Sequence, residues 1–263
     1  MKTKRRKIAA FRPENVLKKS SEKAHRHGFE FFGFAVFELV ERRAALKEIK
    51  EAFEEGVDMA VFTSLNGIKK SFSICEGDFD LKDKLKGVEV CAIGPATRRE
   101  LVRYGVRVDF MPEEYSARGL QKLLYAQGGL EAKRIVFLRS AEGGKEIVEH
   151  LCERGALVKD IAVYRVQMND CTEEKRLYSD LVRYEPDYVI FTSSLTFKTF
   201  LGLADKFGMR EQIRDVLATA KIAAIGNLTA ETIREDGMKV DIVADKSTFT
   251  DVLKQLKGDG SSI

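Results

Sequence analysis

Cysteine and histidine are few and scattered in this 263-residue chain. Cys75, Cys91, Cys152 and Cys171 form no CxxC pair and no Cys/His cluster. That argues against a zinc site or a disulfide framework and for reduced thiols in a cytoplasm. His25, His27 and His150 fall on polar helical stretches and read as solvated surface rather than metal ligands, so no metal is expected. Long hydrophobic runs are missing too. The stretch Phe29–Val40 contains Glu30 and Glu38 and falls well short of the roughly 20 apolar residues a membrane helix needs. The basic N-terminus has no apolar h-region behind it, so no secretory signal is expected. With no P-loop and no GxGxxG, a nucleotide is not indicated.

An excess of either sign of charge is also missing from the body of the chain. The formal net charge is +4, from 45 Lys+Arg against 41 Asp+Glu. Lys2, Lys4, Arg5, Arg6 and Lys7 sit together at the start, so the rest is close to balance. A basic terminus is the solvated end of a domain more often than a nucleic-acid arm, and no nucleic-acid-binding motif accompanies it. The apolar fraction of 44% is enough for a real core.

What the chain does have is an internal repeat. Lys7-Ile-Ala-Ala-Phe-Arg12 matches Arg134-Ile-Val-Phe-Leu-Arg139, and Gly28 matches Gly155. Val61-Phe-Thr-Ser64 matches Ile190-Phe-Thr-Ser193. Ala92-Ile-Gly-Pro-Ala-Thr97 matches Ala224-Ile-Gly-Asn-Leu-Thr229, and the pairing continues through Gly105/Gly237 and Asp109/Asp241. A period of roughly 130 residues is the size of a domain, not of a solenoid repeat. Two copies of one domain are expected, with ligands in a cleft between them.

Short apolar runs alternate with amphipathic segments, the βα pattern of a parallel sheet covered by helices. Strands are expected near 7–11, 29–40, 58–62, 89–93, 106–110, 133–138, 156–167, 187–191, 221–225 and 239–243. A last helix is expected from about Thr248 to Leu256. Pro13 with Gly28, and Pro95 with Gly105, punctuate helix starts and ends. Phe29–Val40 and Ala156–Gln167 are about twice the usual strand length of about 5–6 residues. Each can leave one sheet and enter the next lobe. That gives one lobe of residues 1–36 with 167–263 and another of 37–166, each with five parallel strands. The hinge strands lie at about 34–40 and 161–167. A simple cut near residue 130 is the competing partition, but it leaves the long strands without a destination.

In open α/β sheets ligands bind beyond the carboxyl ends of the strands, where helix N-termini expose N–H groups. Thr63, Ser64, Thr192 and Ser193 fall on that edge, as do Thr97, Gly226, Thr229, Arg12, Arg139 and Ser140. Each hydroxyl alone reads equally well as a helix N-cap. Together they form a surface suited to carboxylates or phosphates. Tyr164 lies in the second long strand where the repeat has Phe37, so only one half carries the hydroxyl. It reads either as a buried interface aromatic or as a phenol that donates a proton to a ligand.

Phe11-Arg12-Pro13, Phe62-Thr-Ser64, Ile93-Gly-Pro95 with Thr97 and Tyr115-Ser116 before Gly119-Leu120 come in a distinctive order. They are followed by Leu138-Arg139-Ser140, Val163-Tyr164-Arg165, Phe191-Thr-Ser193 and Ile225-Gly226 with Thr229-Ala230. In order and spacing the chain resembles the uroporphyrinogen-III synthase family. The resemblance implies an α/β fold of two flavodoxin-like parallel-sheet lobes joined by a two-stranded antiparallel connector. It implies a cofactor-free, cytoplasmic lyase of tetrapyrrole (haem) biosynthesis. Such an enzyme closes hydroxymethylbilane, a linear polycarboxylate tetrapyrrole, with loss of water and inversion of ring D. It implies Tyr164 as the group assisting loss of the hydroxyl and Thr229 as a carboxylate contact. A monomer is expected, with at most transient contact with the preceding enzyme of the pathway. Asn227-Leu228 stands where the family often has Pro-Thr, which removes one hydroxyl. A non-catalytic binding or regulatory protein on the same fold is the rival. A nucleotide-sugar glycosyltransferase would need a longer chain and a nucleotide loop.

Overall fold

The computed structural model describes residues 5–169 and 172–259. Lys2, Lys4 and Cys171, used in the sequence reading, lie outside the described residues. The chain begins β1 (Lys7–Phe11), α1 (Glu14–Arg26), β2 (Glu30–Phe34), β3 (Phe37–Glu41), α2 (Ala45–Glu55), β4 (Met59–Phe62) and α3 (Leu65–Cys75). It continues through α4 (Leu81–Lys84), β5 (Glu89–Ala92), α5 (Pro95–Arg103), α6 (Ala117–Gln127), β6 (Arg134–Ser140) and α7 (Glu146–Glu153). Then come β7 (Leu157–Met168), α8 (Thr172–Tyr184), β8 (Tyr188–Phe191), α9 (Ser194–Lys206) and α10 (Arg210–Thr219). The last elements are β9 (Lys221–Ala224), α11 (Asn227–Glu235), β10 (Ile242–Val243) and α12 (Phe249–Asp259).

Two compact units divide the chain, one of Met1–Glu38 with Gln167–Ile263 and one of Leu39–Val166. The fold is mixed α/β with two parallel-dominated sheets. The first sheet runs β10-β9-β8-β1-β2 and the second β3-β7-β6-β4-β5. Set against the repeat, these are one order. Strands β1 and β2 of the first copy lie beside β8, β9 and β10 of the second. Strands β6 and β7 of the second copy lie beside β4 and β5 of the first.

Three expected strands change. The run 29–40 is not one strand: it breaks at Ala35-Val36 into β2, parallel to β1, and β3, which lies beside β7. The amide nitrogen and side chain of Asn169 hold the carbonyls of Val36 and Ala35 at the break, both at 3.1 Å. Its repeat partner β7 stays continuous over 12 residues. Backbone bonds from Asn169 to Val36 and from Arg42 to Val163 run in opposite senses, so β3 and β7 are antiparallel. The second sheet has four mutually parallel strands, β7-β6-β4-β5, and lacks the expected fifth at 106–110. The run 106–110 makes only an isolated bridge between Cys91 and Phe110. Expected strand 239–243 shrinks to β10, and the last helix extends to Asp259.

Strands such as Met59-Ala-Val-Phe62 are buried along their whole length, as a sheet covered on both faces requires. In the Leu39–Val166 unit the period of two sorts them into two apolar cores. Ala60, Phe62, Val136 and Leu138 enter one, and Met59, Val61, Ile135 and Phe137 the other. The other unit is built more on aromatic contacts. Phe11 stacks on Phe200 at 4.0 Å, and Tyr178 stacks on Phe200 at 5.0 Å. Tyr178 also donates its hydroxyl to the Phe200 carbonyl at 2.9 Å.

The repeated aspartates are structural. Asp109 accepts from the Val90 amide and Asp241 from the Ile222 amide, each at 2.9 Å, which pins corresponding segments to their sheets. Asp58 and Asp187 likewise accept from the first residues of β6 and β1.

Gly67 lets α3 approach β6 closely, since an added Cβ would lie 2.7 Å from the Leu138 carbonyl oxygen. Gly67→Ala is expected to cost about 1–3 kcal/mol in denaturant unfolding. Gly202→Ala, in open space within α9, should instead stabilise by about 0.5–1 kcal/mol. Burial pushes the Cys75 thiol up to about 11 and the Cys91 thiol to about 12, while Cys152 is exposed. Iodoacetamide at pH 8 should therefore alkylate Cys152 and spare Cys75 and Cys91 until denaturant is added, as read by peptide mass mapping.

Candidate active site

Parallel strands deliver their carboxyl ends to one edge of each sheet. In the Leu39–Val166 unit that edge carries Thr63 and Ser64 after β4, Gly94 to Thr97 after β5, and the end of β6. Ser64 is the N-cap of α3 and accepts from the Gly67 amide at 2.9 Å. The Ser64 oxygen is also 3.4 Å from the Tyr164 hydroxyl. Tyr164 is only 6% exposed and packs into an apolar core. A register slip between β6 and β7 sets its position. Arg139 lies opposite Ala162, but Ser140 lies opposite Tyr164. Such bulges re-aim a side chain. The neighbouring backbone is braced on both sides of it. The Ala141 amide donates to the Tyr164 carbonyl at 2.8 Å, and the Val166 amide donates to Glu142 at 2.9 Å.

The hydroxyl and arginine candidates separate into two groups. Ser193, like Ser64, caps its own helix, accepting from the Thr196 amide at 3.0 Å. Ser140 donates to Glu142, and Thr192 makes a long contact of 3.5 Å to the Phe11 carbonyl. Thr63 is half-buried. Arg139 is buried and gripped by Asp160 through Nε at 2.6 Å and Nη2 at 2.8 Å. Apart from Thr63, these groups already have partners within their own unit.

Other groups remain open. Gly94 and Gly226 cap α5 and α11 without any side-chain acceptor, so the first-turn N–H groups are left for a ligand or water. Both glycines are extended at φ −171° and −179°, so they are selected by space and not by φ. A Cβ on Gly94 would crowd the Tyr115 ring at 3.3 Å, and one on Gly226 would meet the Ser247 hydroxyl at 2.9 Å. Thr97 and Thr229 occupy the first turns of α5 and α11 and are buried. In the same unit as Thr229, Arg12 follows β1. Its Nε and Nη1 are buried and without a hydrogen-bond partner among the described residues. Burial lowers its pKa from the ordinary arginine value.

Asp160, Glu142 and the Ser247–Phe249 segment were not singled out by sequence reasoning. Only Asp160 had a usable signal, being the one acidic residue of β7, the strand that pairs with the strand carrying Arg139. Among the described residues no helix is long and apolar enough to cross a membrane, and no cluster of His, Cys, Asp or Glu is placed to hold a metal.

Residues 18–254 match the family described as uroporphyrinogen-III synthase HemD. The chain belongs to the uroporphyrinogen-III synthase family. A relative from Methanothermobacter thermautotrophicus is 30% identical over 220 residues, covering 80% of this chain and 85% of its own. A triple variant of uroporphyrinogen III synthase from Thermus thermophilus shares the fold at a TM-score of 0.75. It is 20% identical, with 98% of this chain and 100% of that one covered. Uroporphyrinogen-III synthetase from Helicobacter pylori shares it at 0.61, 19% identical, with 96% and 99% covered. Membership of the family assigns the chain to tetrapyrrole biosynthesis.

Ser64→Ala and Ser193→Ala should each lower unfolding free energy by about 1 kcal/mol, the usual worth of a lost N-cap. Urea titration checks this, and a change within about 0.3 kcal/mol, well under that order of magnitude, would mean the caps are not used.

Proposed function

We propose that the chain is a lyase that cyclises hydroxymethylbilane to uroporphyrinogen III, with Tyr164 as the proton donor. The observation that carries the role of Tyr164 is its placement. The hydroxyl is held at the carboxyl end of its sheet, 3.4 Å from Ser64, on a strand whose register is shifted there. The Ser64 oxygen is occupied by the Gly67 amide on one lone pair, which leaves its own proton free to donate to the phenol oxygen. The phenol proton is then available to the substrate.

In this reading Tyr164 gives its proton to the hydroxyl of the substrate as the carbon–oxygen bond breaks. Water leaves, and an azafulvene in its protonated, cationic form remains beside the phenolate. Attack through the substituted position of ring D forms a spirocyclic pyrrolenine, which fragments and recloses with that ring inverted. The proton released on rearomatisation restores the phenol, so no net acid or base is consumed. The intrinsic reactivity belongs to the bilane, and the protein's task is to hold a conformation that disfavours direct end-to-end closure.

The substrate carries acetate and propionate groups on every ring, and the near-neutral body of the chain suits their recognition by dipoles. The open N–H groups at Gly94–Thr97 and Gly226–Thr229, with the two buried threonines, supply donors without a basic surface. Arg12 adds one full charge. In fold terms the unit of Met1–Glu38 with Gln167–Ile263 is read as flavodoxin-like, because β2-β1-β8-β9-β10 is the order 2-1-3-4-5 within it, and the other unit is read as its permuted copy, with β7-β6-β4-β5 in the places of β2-β1-β8-β9. We place the reaction in the cytoplasm, carried out by a monomer.

A coupled assay supplied with hydroxymethylbilane, with isomers I and III resolved by chromatography, tests the reading. Isomer III is expected, and isomer I alone would refute it. Tyr164→Phe should lower the rate at least about tenfold with unchanged thermal unfolding, and an unaltered rate would remove Tyr164 from the chemistry. Thr229→Ala should impair turnover more than Thr97→Ala, because Arg12 lies in the same unit as Thr229. Equal wild-type kinetics in both would leave these threonines with a packing role only.

A further inference from the structure

The repeat places Arg12 and Arg139 at the same point, one residue past Phe11 and Leu138. Their environments differ at one strand position. In the second sheet Phe137 lies opposite Asp160, and that aspartate grips Arg139 with two hydrogen bonds. In the first sheet the matching pair is Ala10 opposite Gly33. A glycine stands where the other copy has the counter-ion. A side chain could not be placed there without rearrangement, since a Cβ on Gly33 would lie 2.5 Å from the Ala10 carbonyl oxygen and 2.7 Å from the Phe31 ring.

Arg12 is thus the counterpart of a neutralised arginine, without the carboxylate. Among the described residues its guanidinium has no ion-pair partner. It lies over the Phe249 ring at 4.6 Å. The ring meets one face of the guanidinium and leaves in-plane N–H groups unsatisfied, with Nε and Nη1 buried. Burying Nε and Nη1 without a hydrogen-bond partner is costly, and among the described residues no carboxylate offsets it. Phe249 also ties this cation to α11, because Ser247, two residues earlier, packs against Gly226 at the helix start.

We infer that Arg12 is the fork that receives a carboxylate of the bound substrate, taking the place that Asp160 holds against Arg139. This rests on the proposed reaction for the identity of the ligand. A planar fork with unsatisfied N–H groups matches a carboxylate edge-on, as Asp160 demonstrates on the paired copy. Arg139, by contrast, holds its own unit together.

Steady-state kinetics with hydroxymethylbilane and thermal unfolding of the full chain test this together. Arg12→Gln should raise KM about tenfold or more with kcat within about threefold. Arg12→Lys should recover part of the loss, because it keeps the charge and loses the fork. Thermal stability of Arg12→Gln should be unchanged or higher, while Arg139→Gln should melt several degrees lower because it strands Asp160. A KM within about twofold of wild type, a negligible difference in binding free energy, would overturn the inference. So would an Arg12→Gln melting loss equal to that of Arg139→Gln. A second measurement separates this from the reaction itself. Propane-1,2,3-tricarboxylate should raise the melting temperature of the wild type saturably, and that rise should vanish in Arg12→Gln. Inorganic phosphate should give a smaller Arg12-dependent rise, and an equal rise would overturn the assignment to a carboxylate. If no isomer III forms but the tricarboxylate effect requires Arg12, the reaction assignment fails and the carboxylate fork stands.

Discussion

Parallel strand pairing governs where everything else in this molecule can go. A parallel strand must be followed by a crossover, and most crossovers here start a helix at the carboxyl end of the strand before it. In each unit that single rule collects strand ends, helix N-termini and their unsatisfied N–H groups on one edge. The chemistry is then a matter of which groups on the edge are already engaged. Ser64 and Ser193 are engaged as caps, and Arg139 by Asp160. The glycine-capped helices and Arg12 are not.

A duplicated scaffold begins with matching edges, and three departures make this one unequal. Tyr164 carries a hydroxyl where the other copy has Phe37. Gly33 stands where Asp160 supplies an acid. Asn227-Leu228 replaces Pro95-Ala96 and leaves Leu228 exposed at a helix start. Each departure changes the groups an edge presents while both sheets keep one strand order. Function can therefore be added to one edge without disturbing the sheet below it. The cores tolerate this because most of their apolar contacts lie on the faces of the sheets.

Much of the fold was legible because repetition and period-two burial are properties of residues taken in order. The crossing of the two copies was expected from two runs of unusual length, of which 29–40 breaks into β2 and β3 while 156–167 stays one strand of the second sheet. What escaped was local. The break at Ala35-Val36 depends on Asn169, distant in sequence, and the run 106–110 contributes only one bridge, with the Asp109 side chain taking one of its sheet contacts. At the site, the residue types could be placed at strand ends from the sequence, but their engagement could not. A serine that caps and a serine that contacts a ligand have the same local sequence, and only the position of the next helix distinguishes them.

Residue order alone was enough to establish two copies of a βα domain, the residues at strand ends, and the family that the motifs resemble. These follow from hydrophobic period, turn residues and spacing along the chain. Only folding settled that Arg139 is satisfied and Arg12 is not, and that Tyr164 meets Ser64 through a slip in register. Those outcomes turn on distances of a few ångströms between residues far apart in the chain, and no pattern along the chain encodes them.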